Sequence, residues 1–250
     1  MPPTSRTRTY FVSDLHIGAS YIGDTHAHER RLVTWLKSIE PTARTLYLLG
    51  DVLDYWYEYR NVVPRGYVRF LGALASMADA GVEIVWLKGN HDIWIFDYLP
   101  AEIGMKIADG VLACEIDGKK FVMEHGDGAG EMRRSYRIMR RIFRNRIAQK
   151  LFAAIHPRWT VGFAHSWSSH SRLHGRIDRS ETLSDHDPLM TFAKDYMSTN
   201  GHVDYFIFGH RHIVIDQQVD HDSRLIVLGD GFRHMTYGIW DGTSFSIEKM

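Results

Sequence analysis

The chain has 250 residues, 44% hydrophobic and 24% charged, the proportions of a packed globular protein rather than a disordered or fibrous one. Thirty Lys and Arg offset thirty Asp and Glu, so no global field favours nucleic acid and any electrostatic partner must be read from local clusters. Cys114 is the only cysteine, which excludes an internal disulfide, a cysteine-based zinc knuckle and an iron–sulfur cluster, and fits a reducing compartment. At this length one domain over 1–250 carrying an insertion is expected. Met1 to Arg8 is polar and no apolar run reaches spanning length, so a cytoplasmic location is expected. Fifteen histidines are the unusual entry, because imidazole is the commonest metal ligand.

In chain order, Thr9 to Ser13 is a short β-rich run that stops at Asp14. His28 to Ile39 carries Leu32, Val33, Trp35, Leu36 and Ile39 at helical spacing, and Pro41 follows. Thr45 to Leu49 predicts a second buried strand, stopping at Gly50–Asp51. Val68 to Ala80 predicts a helix with Gly81 as a left-handed cap, and Val82 to Leu87 a third strand stopping at Gly89. The order β, α, β, α, β with polar residues after each strand is that of an open α/β sheet, which places its site at the strands' C-terminal ends. The pattern then changes. Val111–Ile116 and Lys119–Glu124 flank the hairpin signal Asp117–Gly118. Tyr205–Phe208, Arg224–Leu228, Thr236–Trp240 and Ser244–Glu248 follow as further short strands, so a second, more antiparallel sheet is expected. Residues 128–187 lie between the halves, with a long helical stretch over 131–155 and then a Ser- and His-rich segment, and are expected to be a helical insertion over the site.

Five motifs follow strand-like runs: Asp14–Leu15–His16, Gly50–Asp51–Val52–Leu53–Asp54, Gly89–Asn90–His91–Asp92, Glu124–His125–Gly126–Asp127 and Gly209–His210–Arg211–His212. A two-metal site needs several oxygen and imidazole donors within a few ångströms, and strand ends hold donors more rigidly than loops. In an extended chain residues i and i+2 project to one side, so Asp14 with His16, and His210 with His212, can each aim both side chains inward. Glycine before Asp51, Asn90 and His210 permits a sharp turn or a close approach. Asp24–Thr25–His26 has the same form as Asp14–Leu15–His16 but follows no apolar strand. For it, and for His28, His156, His174, His186, His202, His221 and His234, a surface or satisfied core histidine is the better reading.

Taken together, the five motifs resemble the calcineurin-like metallophosphoesterase superfamily. The resemblance implies a four-layer αββα sandwich and two divalent metal ions. It implies that Asp14, His16, Asp51 and His212 hold one metal and that Asp51, Asn90, His125 and His210 hold the other, with Asp51 bridging. By the same resemblance His91, with Asn90 and Asp51, is catalytic, and Asp54 and Asp92 orient ligands and His91. No Gly-x-Ser-x-Gly elbow or Gly-x-x-x-x-Gly-Lys loop suggests competing chemistry.

From Arg133 to Lys150 the insertion carries Arg133, Arg134, Arg137, Arg140, Arg141, Arg144, Arg146 and Lys150, with no acidic residue, interleaved with Met132, Tyr136, Met139, Phe143, Ile147 and Leu151. A basic amphipathic helix of this kind is a solvated face over a packing stripe, an anionic-membrane contact or a phosphate contact. The stretches Leu49–Trp56, Gly89–Trp94 and Phe206–His212, with the insertion after His125, resemble the UDP-2,3-diacylglucosamine hydrolases of lipid A synthesis. That narrower resemblance implies cleavage of a UDP-linked diacylated sugar lipid to UMP and the sugar 1-phosphate. It also implies manganese, attachment to the cytoplasmic face of the inner membrane through helix 131–155, and no nucleic-acid partner. It suggests Tyr136, Ser168, Ser169 and Arg172 as substrate contacts. The best-known branch of that family has arginine where this chain has His91. Another phosphodiesterase or nuclease of the superfamily, or a metal-binding membrane scaffold, are the alternatives.

Overall fold

The computed structural model describes residues 6–129, 134–157, 159 and 182–250. Four short parallel strands, β1 (Arg8–Val12), β2 (Ala43–Leu49), β3 (Glu83–Leu87) and β4 (Lys106–Ala108), form most of one sheet. Five others, β5 (Leu112–Ile116), β6 (Lys119–Glu124), β7 (Tyr205–Phe208), β8 (Val214–Gln218) and β9 (Arg224–Leu228), form a second sheet in the order β5-β6-β7-β9-β8. The C-terminal strands β10 (Thr236–Trp240) and β11 (Phe245–Lys249) complete the first sheet, whose order is β11-β10-β1-β2-β3-β4.

Period-two alternation explains the layers. In β2, Leu46 and Leu48 turn to α1 (Thr25–Ile39) and α2 (Val68–Asp79), where Leu32, Leu36, Phe70 and Leu74 meet them, while Tyr47 and Leu49 face the other sheet. In β7, Tyr205 and Ile207 face inward, and Phe206 and Phe208 pack outward on the described helix α6 (Pro188–Asn200). The result is the four-layer αββα sandwich expected from the motifs. Asp24 caps α1 through the Ala27 N–H at 2.9 Å, and Asp187 caps α6 through Leu189, with Pro188 opening the helix. Between the sheets Phe11 stacks on Tyr47 and on Phe121, with ring centroids 5.2 and 5.8 Å apart. Asp117, at the β5–β6 turn, accepts from Trp240 Nε1 and from Arg44 at 2.8 Å, and so ties that turn to both β10 and β2.

Two expectations need correction. The hairpin β10–β11 does not join the second sheet. Thr9 pairs antiparallel with Trp240, so the two ends of the chain meet inside the first sheet. The second sheet keeps a parallel centre of β6, β7 and β9, with reversed strands at its edges β5 and β8. The basic stretch over 131–155 is not one helix. It breaks at Asn145 (ψ 122°), whose side chain accepts from Ile147 and Ala148 N–H and starts a new helix, so that α4 (Arg134–Arg144) precedes α5 (Arg146–Ala153). A short helix α3 (Tyr98–Ile103) also follows β3, and buried Glu58 accepts four backbone N–H groups around its start, from Phe96, Asp97, Tyr98 and Leu99.

Phe11 is fully buried at the centre of the inter-sheet layer. The Phe11→Ala variant is expected to lose about 3–5 kcal/mol of stability, read by denaturant unfolding, and a loss under about 1 kcal/mol would contradict this account of the packing.

Candidate active site

All five motifs lie at the C-terminal ends of β1, β2, β3, β6 and β7, on one edge of the paired sheets. Among the described residues, eight non-glycine positions have positive φ, and five of them are candidate ligands: Asp14 (54°), His16 (44°), Asp51 (51°), His210 (67°) and His212 (53°). The side chains therefore do not converge because an extended chain alternates. The chain turns into the left-handed region as β1, β2 and β7 end, and that turn aims their ligand side chains inward. A residue with a β-carbon is rarely found there, and such strain gathers at functional sites.

The glycines allow close approach. A β-carbon on Gly50 (φ +85°) would stand 2.6 Å from His125 Nδ1, and one on Gly89 would overlap the Asp51 side chain and backbone nitrogen. Asp51 Oδ1 consequently accepts the His91 N–H at 2.8 Å.

Asp14, His16 and Asp51 are buried, as is His125. Three groups each bring possible ligand atoms within 4.8 Å of one another: Asp14, His16 and His212; His16, Asp51 and His91; and Asp51, His125 and His210. Asp51 is shared by two of them. Its Oδ2 lies 3.3 Å from His125 Nε2, 3.7 Å from His16 Nε2 and 3.9 Å from His91 Nε2. Asn90 Oδ1 is 3.3 Å from His125 Nε2, beside the third group. His212 Nε2 is 3.4 Å from Asp14 Oδ1.

The opposite ring nitrogens are held from behind. His125 Nδ1 faces the Leu49 carbonyl at 2.8 Å and His91 Nδ1 the Asp54 carbonyl at 2.9 Å. His16 Nδ1 meets Asp54 Oδ1 at 3.3 Å, whereas His212 Nδ1 has no hydrogen-bond partner among the described residues and stands 3.7 Å from Asp230 Oδ2, which pairs with His234 Nδ1 at 3.2 Å. Because His125 Nδ1 donates to a carbonyl, Nε2 is the atom it presents to the cluster, as a metal ligand requires. Asp54 thus serves two imidazoles. Asp92 does something else. Its carboxylate accepts from Val52 N–H, Gly89 N–H and Trp86 Nε1 at 2.8–3.1 Å, so it fixes the backbone beside Asp51 and Asn90 rather than an imidazole.

Burial would raise the carboxyl of Asp51, but His125 and His91 outweigh it and hold it well below the usual range. At Asp14 burial is likewise overcome, by His212 and His16, and the carboxyl is lowered. Burial pushes His210 down to about 4, with His125 adding to it, so its imidazole is neutral. Desolvation and the Asp51 charge raise Asp92 to about 6. Asp14 Oδ1 is buried and has no hydrogen-bond partner among the described residues. Burial would lower His125, but the Asp51 charge outweighs it and raises the imidazole well above its usual range. With two buried anionic carboxylates, the neutral His210 nitrogen and an unsatisfied oxygen, the cluster is a donor set that fits divalent cations.

Sequence reasoning overlooked Asp230. It is fully buried, faces His212, and accepts the backbone N–H groups of Phe232, Arg233 and His234. Burial raises its carboxyl, yet His212 and those N–H groups bring it down to about 2. The signal was present, because Gly229–Asp230 ends β9 as Gly50–Asp51 ends β2. His28 Nε2 pairs with the Leu15 carbonyl at 2.9 Å, the satisfied core histidine expected. Tyr136, on α4, donates its hydroxyl to Asp127 Oδ2 at 3.1 Å. Ser168, Ser169 and Arg172 lie outside the described residues.

Residues 7–214 match the calcineurin-like phosphoesterase family. The chain is 42% identical to a UDP-2,3-diacylglucosamine hydrolase of Porphyromonas gingivalis, over 98% of each protein. It is also similar to proteins of the same name from Aeromonas hydrophila, at 29% identity, and from a Shewanella strain, at 26%, over 90% of each chain.

Because the Asp230 carboxylate stands 3.7 Å behind His212 Nδ1, Asp230→Asn is expected to weaken metal binding about 10- to 100-fold without unfolding the chain. Calorimetric titration with Mn²⁺ reads this, and unchanged affinity would contradict the role given to Asp230.

Proposed function

The chain belongs to the calcineurin-like phosphoesterase family, and from that premise we propose that it hydrolyses the pyrophosphate of UDP-2,3-diacylglucosamine, releasing UMP and 2,3-diacylglucosamine 1-phosphate. The observation that carries the chemistry is the place of Asp51, whose Oδ2 lies 3.7 Å from His16 Nε2 and 3.3 Å from His125 Nε2, where His16 is grouped with Asp14 and His212 and His125 with His210. The substrate rests on the 42% identity over 98% of the Porphyromonas protein.

Asp14, His16, Asp51 and His212 are proposed to hold one ion, and Asp51, Asn90, His125 and His210 the other, with manganese as the metal. Two such ions supply Lewis acidity to the phosphoryl oxygens and lower the pKa of water at neutral pH. The protein's own contribution is to fix the donors. Asp54 and the Leu49 carbonyl orient His16 and His125, Asp230 places its charge behind His212, and Asp92 locks the backbone between Asp51 and Asn90.

His91 stands with its Nε2 toward Asp51 and its side chain 15% exposed, placed to donate a proton or hydrogen bond to a phosphate oxygen. A phosphomonoester leaving group has a second pKa of about 6 and departs without a proton, so histidine suffices where another branch has arginine.

Residues 128–187 are proposed to form an insertion over this centre within a single domain, with Tyr136 meeting substrate from α4. Exposed Ile138, Ile142, Ile147 and Leu151 alternate with exposed Arg137, Arg141, Arg146 and Lys150, a combination suited to an anionic membrane surface. No described helix is long and apolar enough to cross a membrane. Attachment to the cytoplasmic face of the inner membrane follows as a proposal.

Incubation with UDP-2,3-diacylglucosamine and Mn²⁺ is expected to release UMP, while oligonucleotides are left intact; cleavage of the oligonucleotides alone would favour the nuclease reading. Chelation should abolish turnover and added Mn²⁺ restore it. Asp51→Ala, which takes a donor from both ions, is expected to lower kcat by at least about 10³-fold, and near-wild-type turnover in that variant would refute the shared-carboxylate assignment.

A further inference from the structure

Helices α4 and α5 are attached to the sandwich by an ion pair of Arg144 with Asp109 and by two further contacts of different chemistry. One is aromatic. Phe143 and Phe152 pack on Trp94 with centroids 5.5 and 4.7 Å away, Trp94 Nε1 donates to the Phe143 carbonyl at 2.9 Å, and the Tyr57 hydroxyl donates to the Gln149 carbonyl at 2.7 Å. The other is charged and reaches the segment that carries His125.

Asp127 lies two residues beyond His125, with a side chain only 1% exposed. Its Oδ2 accepts from Arg140 Nε and from the Tyr136 hydroxyl, both at 3.1 Å. Arg140 Nη2 is also 3.8 Å from Glu124 Oε1, on the other side of His125. Gly128 leaves the space for this reach, because a β-carbon there would stand 2.6 Å from Glu124 Oε1 and 2.8 Å from Arg140 Nη2. A carboxylate buried so deeply depends on its partner, and deleting the partner strands a charge.

We propose that Arg140 is a positioning residue: its clasp on Asp127 and Glu124 fixes where α4 stands over the His125 side of the centre, and so sets whether a substrate with bulky acyl groups is accepted. The lipid character of that substrate rests on the function proposed above. A substrate held by its phosphates near His125 and extending toward Asp127 meets α4, whereas a small diester does not extend that far. The clasp therefore governs substrate selection and leaves the chemistry at phosphorus to the donors around Asp51. The aromatic attachment and the Arg144–Asp109 pair keep the helices on the sandwich when the clasp is cut.

Arg140→Gln and Arg140→Lys test this against two substrates, UDP-2,3-diacylglucosamine and bis(p-nitrophenyl) phosphate, with amide hydrogen exchange as a readout independent of turnover. For Arg140→Gln the expected results are a KM for the lipid substrate raised by about tenfold or more, kcat little altered, and chromogenic-diester turnover within about twofold of wild type. Exchange should quicken over 134–144 but not in β6 or β7, and Arg140→Lys should restore part of the lipid KM. Equal losses on both substrates, or no loss on either, would overturn the clasp while leaving the proposed function standing. A wild-type enzyme that cleaves the diester but not UDP-2,3-diacylglucosamine would overturn the substrate assignment instead. The exchange of 134–144 then decides the clasp, supporting it if quickened in Arg140→Gln and refuting it if unchanged.

Discussion

A carboxylate as deeply buried as that of Asp51 must either take up a proton or be surrounded by positive charge. The fold is arranged for the second outcome. Imidazoles from the ends of β1, β3 and β6 approach one oxygen of Asp51, while the other is occupied by the His91 N–H. Remove the sheets and nothing holds His16, His91 and His125 around one oxygen, since they lie on segments far apart in sequence. Conversely, the cluster of like and opposite charges gains its full strength only because the sheets exclude water from it. Site and sandwich are for that reason one construction.

The backbone bears part of the cost. Left-handed geometry at a residue with a β-carbon costs on the order of 1–3 kcal/mol, and it recurs at Asp14, His16, Asp51, His210 and His212. Such geometry persists where its surroundings over-determine it. The parallel registers of β1 with β2 and of β6 with β7 do so from below. The hydrogen bonds from His16 N–H to the Asp51 carbonyl and from Asp14 N–H to the Gly50 carbonyl, at 3.0 and 3.1 Å, do so within the loops themselves.

Much of this was legible in the sequence, and for a stated reason. A buried strand that ends in Gly-Asp or Gly-Asn-His exchanges apolar for ligand residues at a single point, so strand ends and donors mark each other. Tyr205–Phe208 and Gly209–His210 illustrate it. What remained hidden depends on partners distant in sequence. Thr236–Trp240 alternates like any strand, and nothing local says that it pairs with β1 rather than β9. The three-residue β4 has too little alternation to register. The Asn145 break was masked because helical spacing of apolar residues continues across it, and only the capping side chain marks the new start. Asp230 belongs to a strand end with no neighbouring histidine motif, and its tie to His212 exists only in three dimensions. The left-handed turns, too, have no signature in residues that can equally be extended.

The sharing of Asp51 between two cations is the claim on which the rest depends, and anomalous scattering at the manganese edge from crystals grown with Mn²⁺ tests it most directly. The account predicts two anomalous peaks, one on either side of the Asp51 carboxylate, the first against His16 and His212 and the second against His125 and His210. A single peak, or a pair of ions neither of which touches Asp51, would contradict it.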